Sequence, residues 1–306
     1  MKNRNLLFFL FLGLLSQAQV RPVIQQQEIV RIENELASDK MEGRAIFTAG
    51  IEAASVFIEN EFKKINLSYF KDLKNYRQEF VVEGKAANNV IGILPGKSRP
   101  EEFVIFAAHY DHLGINKDGE DKVFNGANDD ASGTTAVIAL AKYFKELNQN
   151  ERTIIFVAFT GEEVGGFGSK FFSENIDANK VVAMFNIEMI GTDSKWGKNS
   201  AYITGFEKSD FGVILQKNLK GSNFNFYPDP YPQQQLFYRS DNARLAALGV
   251  PAHTISTSKM DSEPNYHKLS DEVSTLDLDN MTEIVKSIAI SSQTIISGED
   301  TPTRVK

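Results

Sequence analysis

Three nearly unbroken apolar runs constrain this chain most: Phe103 to Ala108 within EEFVIFAAHYDH, RTIIFVAFT over 152–160, and VVAMFNIEMIG over 181–191. A strand that is apolar on both faces must be covered on both faces, and parallel strands achieve this when helices pack on either side of the sheet. Segments with apolar positions at helical spacing lie around these runs. They cover 24–37, 50–65 (Ile51, Ala54, Val56, Phe57 and Phe62), 132–147 with Ser132 as the expected cap, a short stretch of GGFGSKFFSEN, about 207–219, 241–248 and about 277–296. NNVIGILPGK (88–97), AYITG (201–205) and VPAHTIST (250–257) read as further strands. The alternation predicts an α/β fold, a three-layer αβα sandwich with a doubly wound, mainly parallel mixed sheet. Residues 221–240, with Pro228, Pro230 and Pro232 and Gln233 to Gln235, form the one long irregular loop, and loops of that length in compact domains tend to be functional.

The chain of 306 residues has no cysteine. That excludes disulfide scaffolds, thiolate zinc fingers, iron–sulfur clusters and a cysteine nucleophile, so any metal must be held by His, Asp or Glu. Residues 1–18 open with Lys2 and Arg4, continue with an apolar run from Leu6 to Leu15 and end in small or polar residues up to Ala18. This pattern predicts a secretory signal peptide cut after Ala18, leaving 19–306 as one catalytic domain that is exported, periplasmic or secreted, without a stable membrane anchor. The apolar run is shorter than the ~20 residues a membrane span needs. The net charge of −7 becomes −9 once Lys2 and Arg4 leave with the signal peptide. An acidic surface argues against a nucleic-acid partner.

Ligand sites in open α/β sheets form beyond the carboxyl ends of the strands. There this sequence sets His109-Tyr110-Asp111, Asn128-Asp129-Asp130, Glu162-Glu163, Glu188 and, after the strand near 250–257, Tyr266-His267. Five segments thus aim His or carboxylate groups at one sheet edge. So many acids together repel one another unless cations are present. Oxygen and imidazole donors without sulfur suit zinc, with manganese or cobalt as substitutes, and two metals about 3.5–4 Å apart can share a bridging ligand and an activated water. Of two adjacent glutamates at a strand end, one can bind metal and the other can take a proton.

AAHYDHLG, NGANDDASG, FTGEEVGGFGS, FNIEMIG, SDNARLAALGVPA and YHKLSDE, in this order and spacing, resemble the co-catalytic di-zinc aminopeptidases, a family that includes glutamate carboxypeptidases and glutaminyl cyclases. The resemblance runs from about Leu36 to the last helix and also takes in ELASDKMEGR and NNVIGILPG. It implies a zinc-exopeptidase (phosphorylase/hydrolase-like) fold and two Zn2+ ions. It implies His109 and Glu188 on one zinc, Glu163 and His267 on the other, Asp129 bridging both, and Glu162 as general base. Asp111 would accept a hydrogen bond from the His109 ring, the Asp129–Asp130 peptide would be cis, and Ser240 and Asp241 would shape the substrate pocket. Two departures stand out. The fourth ligand is usually Asp, here Glu188, and GRAIFTAG lacks the glycine often found before the threonine.

His112 and His253 read as structural histidines, one in a polar loop and one inside a buried strand. Tyr238, Phe237 and Tyr231 either line the pocket or stabilise the loop. Asp241 and Asn242 are also placed to cap the helix at 241–248, and Trp196 reads as core. The resemblance implies a monomeric metallopeptidase acting on peptide substrates from their N-termini. The alternatives are a carboxypeptidase or dipeptidase, for which Arg239 is a candidate carboxylate partner, a single-zinc glutaminyl cyclase, or a binding protein that has kept the fold without catalysis.

Overall fold

A computed structural model describes residues 21–306; the expected signal peptide lies outside them. In chain order the elements are α1 Gln26–Leu36, α2 Ala49–Ile65, β1 Ser68–Tyr69, β2 Arg77–Val82, β3 Lys85–Leu94 and β4 Arg99–His109. A small hairpin follows, β5 Gly114–Ile115 with β6 Val123–Phe124, then α3 Ser132–Leu147, β7 Arg152–Phe159, α4 Phe167–Glu174, β8 Val181–Ile187 and β9 Ser200–Ile203. The chain ends with α5 Phe211–Asn218, β10 Asn225–Pro228, α6 Asn242–Ala246, β11 Ala252–Ser256, α7 Leu278–Ser291 and α8 Gln293–Ser297. No helix among the described residues is long and apolar enough to cross a membrane.

The main sheet runs β1-β3-β7-β4-β8-β11-β9-β10, with β2 also pairing β3. Its centre, β7-β4-β8-β11, is parallel throughout, so these four strands end at one edge. Antiparallel β3 and β9 flank it. The pleat sends alternate side chains to opposite faces. Val104, Phe106 and Ala108 of β4 join a core built with α1, α2, α3, α5 and α7, whereas Ile105 and Ala107 join one built with Phe172 of α4 and Leu245 and Ala246 of α6. The Phe106 ring lies 4.8–5.8 Å from Phe144, Phe156 and Phe185. The apolar runs of the sequence are therefore the doubly covered strands of an αβα sandwich, as expected.

Local signals set most helix ends. Thr48 Oγ1 accepts from Ile51 N at the start of α2, and Lys63 and Lys64 sit in its last turn, where the helix dipole favours cations. Phe47, just before the capping Thr48, adopts φ +67°, a left-handed conformation uncommon for a side chain of its size. Other expectations are corrected. Ser132 is already helical and does not cap α3; its hydroxyl donates to Asn128 O and accepts from Ile190 N, tying the helix start to the end of β8. The helix expected over 277–296 breaks at Ser292 into α7 and α8. The 221–240 segment is only partly irregular, because 225–228 pairs in parallel with β9. Trp196 is not core: it is 41% exposed and stacks on Tyr227 with ring centroids 4.2 Å apart.

Glu33 of α1 is fully buried, with Thr135 Oγ1 donating to one carboxylate oxygen and no partner for the other. Burial pushes its carboxyl up to about 8. The folded protein thus holds a proton that the unfolded chain releases near pH 4.5, so this group costs stability as pH rises from about 4.5 to 8, with a slope approaching ~1.4 kcal/mol per pH unit. Glu33→Gln should be about 4 kcal/mol more stable than the parent at pH 8 and nearly equal to it at pH 4.5. Urea denaturation at the two pH values checks this; equal shifts at both would show that Glu33 is not protonated in the fold.

Candidate metal centre

β4 ends at His109, β7 runs into Gly161-Glu162-Glu163, β8 into Glu188, and the loop after β11 carries His267. Asp129 comes from the wide helical turn Ala127–Ala131 that leads into α3. The shared parallel direction of the strands brings these groups together, and the turn supplies the carboxylate between them. Asp129 Oδ1 lies 3.3 Å from His109 Nε2, and Asp129 Oδ2 lies 3.3 Å from His267 Nε2. The second imidazole also faces Glu163 Oε2 at 3.0 Å. One carboxylate therefore looks both ways, with an imidazole on each side. The Asp129–Asp130 peptide bond is cis.

Backbone clamps hold this arrangement. Asp130 accepts from Gly133 N and Met189 N at 3.0 Å each. A Cβ on Gly133 would lie 2.1 Å from Ile187 O, so only glycine lets α3 start this close to β8. Asp271 Oδ1 and Oδ2 accept from Asn128 N at 2.8 Å and Asp129 N at 3.0 Å, which ties the His267 loop to the turn carrying Asp129. The buried Arg44 donates to Leu36 O, Tyr110 O, Asn125 O and Gly126 O, gathering both segments that flank the centre.

Asp111 departs from expectation. The His109 Nδ1 donates to the Asp111 backbone oxygen at 3.1 Å, while the Asp111 carboxylate lies 3.7 Å away. That carboxylate instead accepts from Glu162 N and Glu163 N at 3.2 and 3.3 Å. Two backbone donors at the mouth of a tight loop outcompete a single ring nitrogen, so Asp111 orients the glutamate pair as well as the histidine.

The electrostatics are those of an over-acidic site. Burial, with Glu188 and Asp241 adding repulsion, holds the Glu162 carboxyl well above its ordinary range despite His109. Burial also lifts Glu188 to about 7 and Asp111 to about 6. Asp129 goes the other way, because the His109 and His267 imidazoles that face its two oxygens overcome its burial. His109 Nε2 and Glu188 Oε2 are buried without hydrogen-bond partners.

These residues fit divalent cations. The donors are nitrogen and oxygen only, and orphaned polar atoms converge where a ligand atom would need to face a metal. Ligands about 2.0–2.1 Å from a tetrahedral zinc lie about 3.3 Å from one another, close to the 3.0–3.3 Å separations between the Asp129 and Glu163 oxygens and the two imidazoles.

A narrow cleft opens beside the centre, lined by Glu162, Glu188, Tyr202, Arg239, Ser240, Met260 and Tyr266 among others. Ser240 is among the lining residues, its hydroxyl accepting from Asn186 Nδ2 at 2.6 Å. Tyr238 is not among the lining residues; it is 63% exposed, with the Lys208 ammonium over its ring. Asp241 is buried behind the lining with neither carboxylate oxygen paired and does not cap α6. Asn242 does not cap either; it donates to Phe237 O and Ala252 O. Tyr231 packs on Tyr202 and Leu236 at the back of the cavity. His253 is structural as expected, held between Ser209 and Thr204 O. His112 lies at the centre itself, with Nδ1 2.8 Å from Glu163 Oε1. The reading of His112 as a loop histidine missed this contact, since the partner lies 51 residues away.

Comparison with known proteins fits this geometry. Residues 89–291 match the model of Peptidase family M28. A probable leucine aminopeptidase of Trichophyton verrucosum is 28% identical over 247 residues, covering 78% of this chain and 64% of that protein. Aminopeptidase Y of Saccharomyces cerevisiae is 27% identical over 215 residues, covering 64% of this chain and 36% of that protein. The chain thus spans less than two thirds of the length of these relatives. Among solved structures, the zinc aminopeptidase BSAP of Bacillus subtilis superposes with a TM-score of 0.73 at 14% identity, over 91% of this chain and 97% of that one. The glutaminyl cyclase of Porphyromonas gingivalis does so with a TM-score of 0.70 at 15% identity, over 89% and 99%. At such identities the likeness is one of fold.

Proposed function

The chain belongs to Peptidase family M28, and from that premise we propose that it is an exported exopeptidase that removes N-terminal residues from peptides, using two zinc ions and Glu162 as general base. The observation that carries this reading is the Asp129 carboxylate, with His109 facing one oxygen and His267 the other. His109 and Glu188 would hold one ion, Glu163 and His267 the other, and Asp129 would bridge them. Manganese or cobalt could replace zinc in such a donor set. When bound, the ions polarise the scissile carbonyl and acidify water towards neutral pH.

The chain's own residues do the rest. Glu162, with its carboxyl raised by burial and by Glu188 and Asp241, has the proton affinity a base needs to take a proton from the attacking water and pass it to the leaving amine. Asp111 holds the Glu162 and Glu163 backbone, so base and ligand keep their relative positions. The cavity beside Glu188 and Ser240 receives the substrate's first side chain. Export rests on residues 1–18, whose basic start and apolar run have the order of a signal peptide.

A dipeptidase reading has one observation in its favour. Arg239 lines the cavity, and no carboxylate among the described residues lies within ion-pair distance of it. That guanidinium would suit the C-terminal carboxylate of a very short peptide. Mass spectrometry of a peptide mixture containing free and acetylated N-termini and a set of dipeptides, with and without chelator, tests both. Stepwise loss of N-terminal residues from free-amine peptides, abolished by chelator, is the expected result. Cleavage of dipeptides alone would favour the second reading. Loss of ammonia from N-terminal glutamine without cleavage, or an untouched mixture, would overturn the exopeptidase proposal.

A further inference from the structure

His112 is the one histidine near the centre to which the metal scheme above gives no task. Its ring is buried, with Nδ1 2.8 Å from Glu163 Oε1, and its edge faces the His267 ring at 5.9 Å between centroids. The fold makes room for it at a specific place. Gly126 adopts φ +54°, and a Cβ there would come within 2.5 Å of the His112 ring. The backbone N–H of His112 donates to Arg44 O at 3.2 Å, so the residue is fixed at both ends.

Resting on the di-metal reading, we propose that His112 is a positioning residue for the metal centre: its Nδ1–H holds Glu163 Oε1, so that only Oε2 is presented beside His267. The distances separate this role from direct ligation. Two ligands of one tetrahedral zinc stand about 3.3 Å apart, and the contacts among the proposed ligands measure 3.0–3.3 Å, whereas 2.8 Å is the length of a hydrogen bond to a carboxylate. The hydrogen bond to Oε1 opposes rotation of the Glu163 carboxylate towards the His109 side. With Nδ1 donating to Glu163, the Nε2 of His112 is left as the acceptor nitrogen; like His109 Nε2 it is buried and has no partner. His112 thus reaches the metal only through Glu163. Partners of this kind are worth about 10- to 100-fold in metal affinity.

The test compares metal-free protein, His112→Phe and His112→Asn by zinc titration against a chromophoric chelator, with bound zinc counted by mass spectrometry. Phenylalanine keeps the ring and removes the donor. Asparagine puts an amide N–H where Nδ1 was. We expect two zinc ions in the parent, one of the two sites weakened about 10- to 100-fold in His112→Phe, the other site unchanged, and most of the lost affinity restored in His112→Asn. Unchanged affinity in His112→Phe, or equal losses in both variants, would overturn the positioning role and leave the metal-centre reading standing. A parent that binds no zinc would overturn both. Imidazole ¹⁵N NMR of the zinc-loaded parent is independent of whether the variants fold. It should find His112 protonated on Nδ1, and a His112 nitrogen bound directly to metal would overturn the proposal.

Discussion

Glu162→Gln should retain zinc and lower kcat by about 10²–10⁴-fold, the usual contribution of a positioned general base. The amide is isosteric with the carboxylate, and the contact that fixes the backbone here, Glu162 N to Asp111 Oδ1, does not involve the altered side chain. Structure and metal content should therefore survive while proton acceptance is lost. The pH profile offers a second readout. Burial and the neighbouring acids raise the Glu162 carboxyl in the metal-free site, and bound cations would lower it again, so the acid limb of kcat/KM in the parent reports the base in its working state. A variant with kcat within about threefold of the parent would remove Glu162 from the mechanism.

The second large effect is on stability. Metal-free protein gathers Asp111, Asp129, Asp130, Glu162, Glu163, Glu188 and Asp241 around three imidazoles. Asp111 and Asp271 are lifted to about 6 and Glu188 to about 7, chiefly by burial. Each folded-state value lies above the unfolded one. The folded chain therefore keeps protons that the unfolded chain gives up, and its stability falls as pH climbs from about 4 to 7. Zinc reverses that loss, because the deprotonated carboxylates and neutral imidazoles are the forms that bind it. Free zinc at about 1,000 times Kd should add about 4 kcal/mol for each site, which for a chain of this size is on the order of 10 °C in Tm. The gain should be larger at pH 8 than at pH 5. Differential scanning fluorimetry with chelator and with zinc at both pH values checks the sign. A zinc-independent Tm at pH 8 would count against any metal in this cleft.

Legibility in the sequence followed periodicity. The doubly covered strands β4, β7 and β8 announce themselves as apolar runs, and their ends mark where ligands collect. β2 escaped notice although its burial alternates, because Gln78 occupies one buried position and pairs with Asn89 instead of showing an apolar residue. β1, β5 and β6, at two residues each, are too short to carry a period. Ser132 resembles a cap in every local respect. Only the return of β8 past the start of α3 diverts its hydroxyl to Asn128 and Ile190.

Sequence alone determined the alternation of covered strands with helices, hence the αβα architecture, and it determined which donors stand at the strand ends, hence the chemistry open to the site. These are properties of residue type and spacing within one segment, and they persist whatever the rest of the chain does. Tertiary structure alone decided that His112 meets Glu163, that Asp271 holds the turn of Asp129, that Asp111 serves the glutamate backbone with its carboxylate, and that Tyr238 turns outward while Tyr202 and Met260 line the cavity. Those contacts join residues tens to more than a hundred positions apart. A hydrogen bond's partner is chosen by distance and direction in space, and neither leaves a periodic trace along the chain.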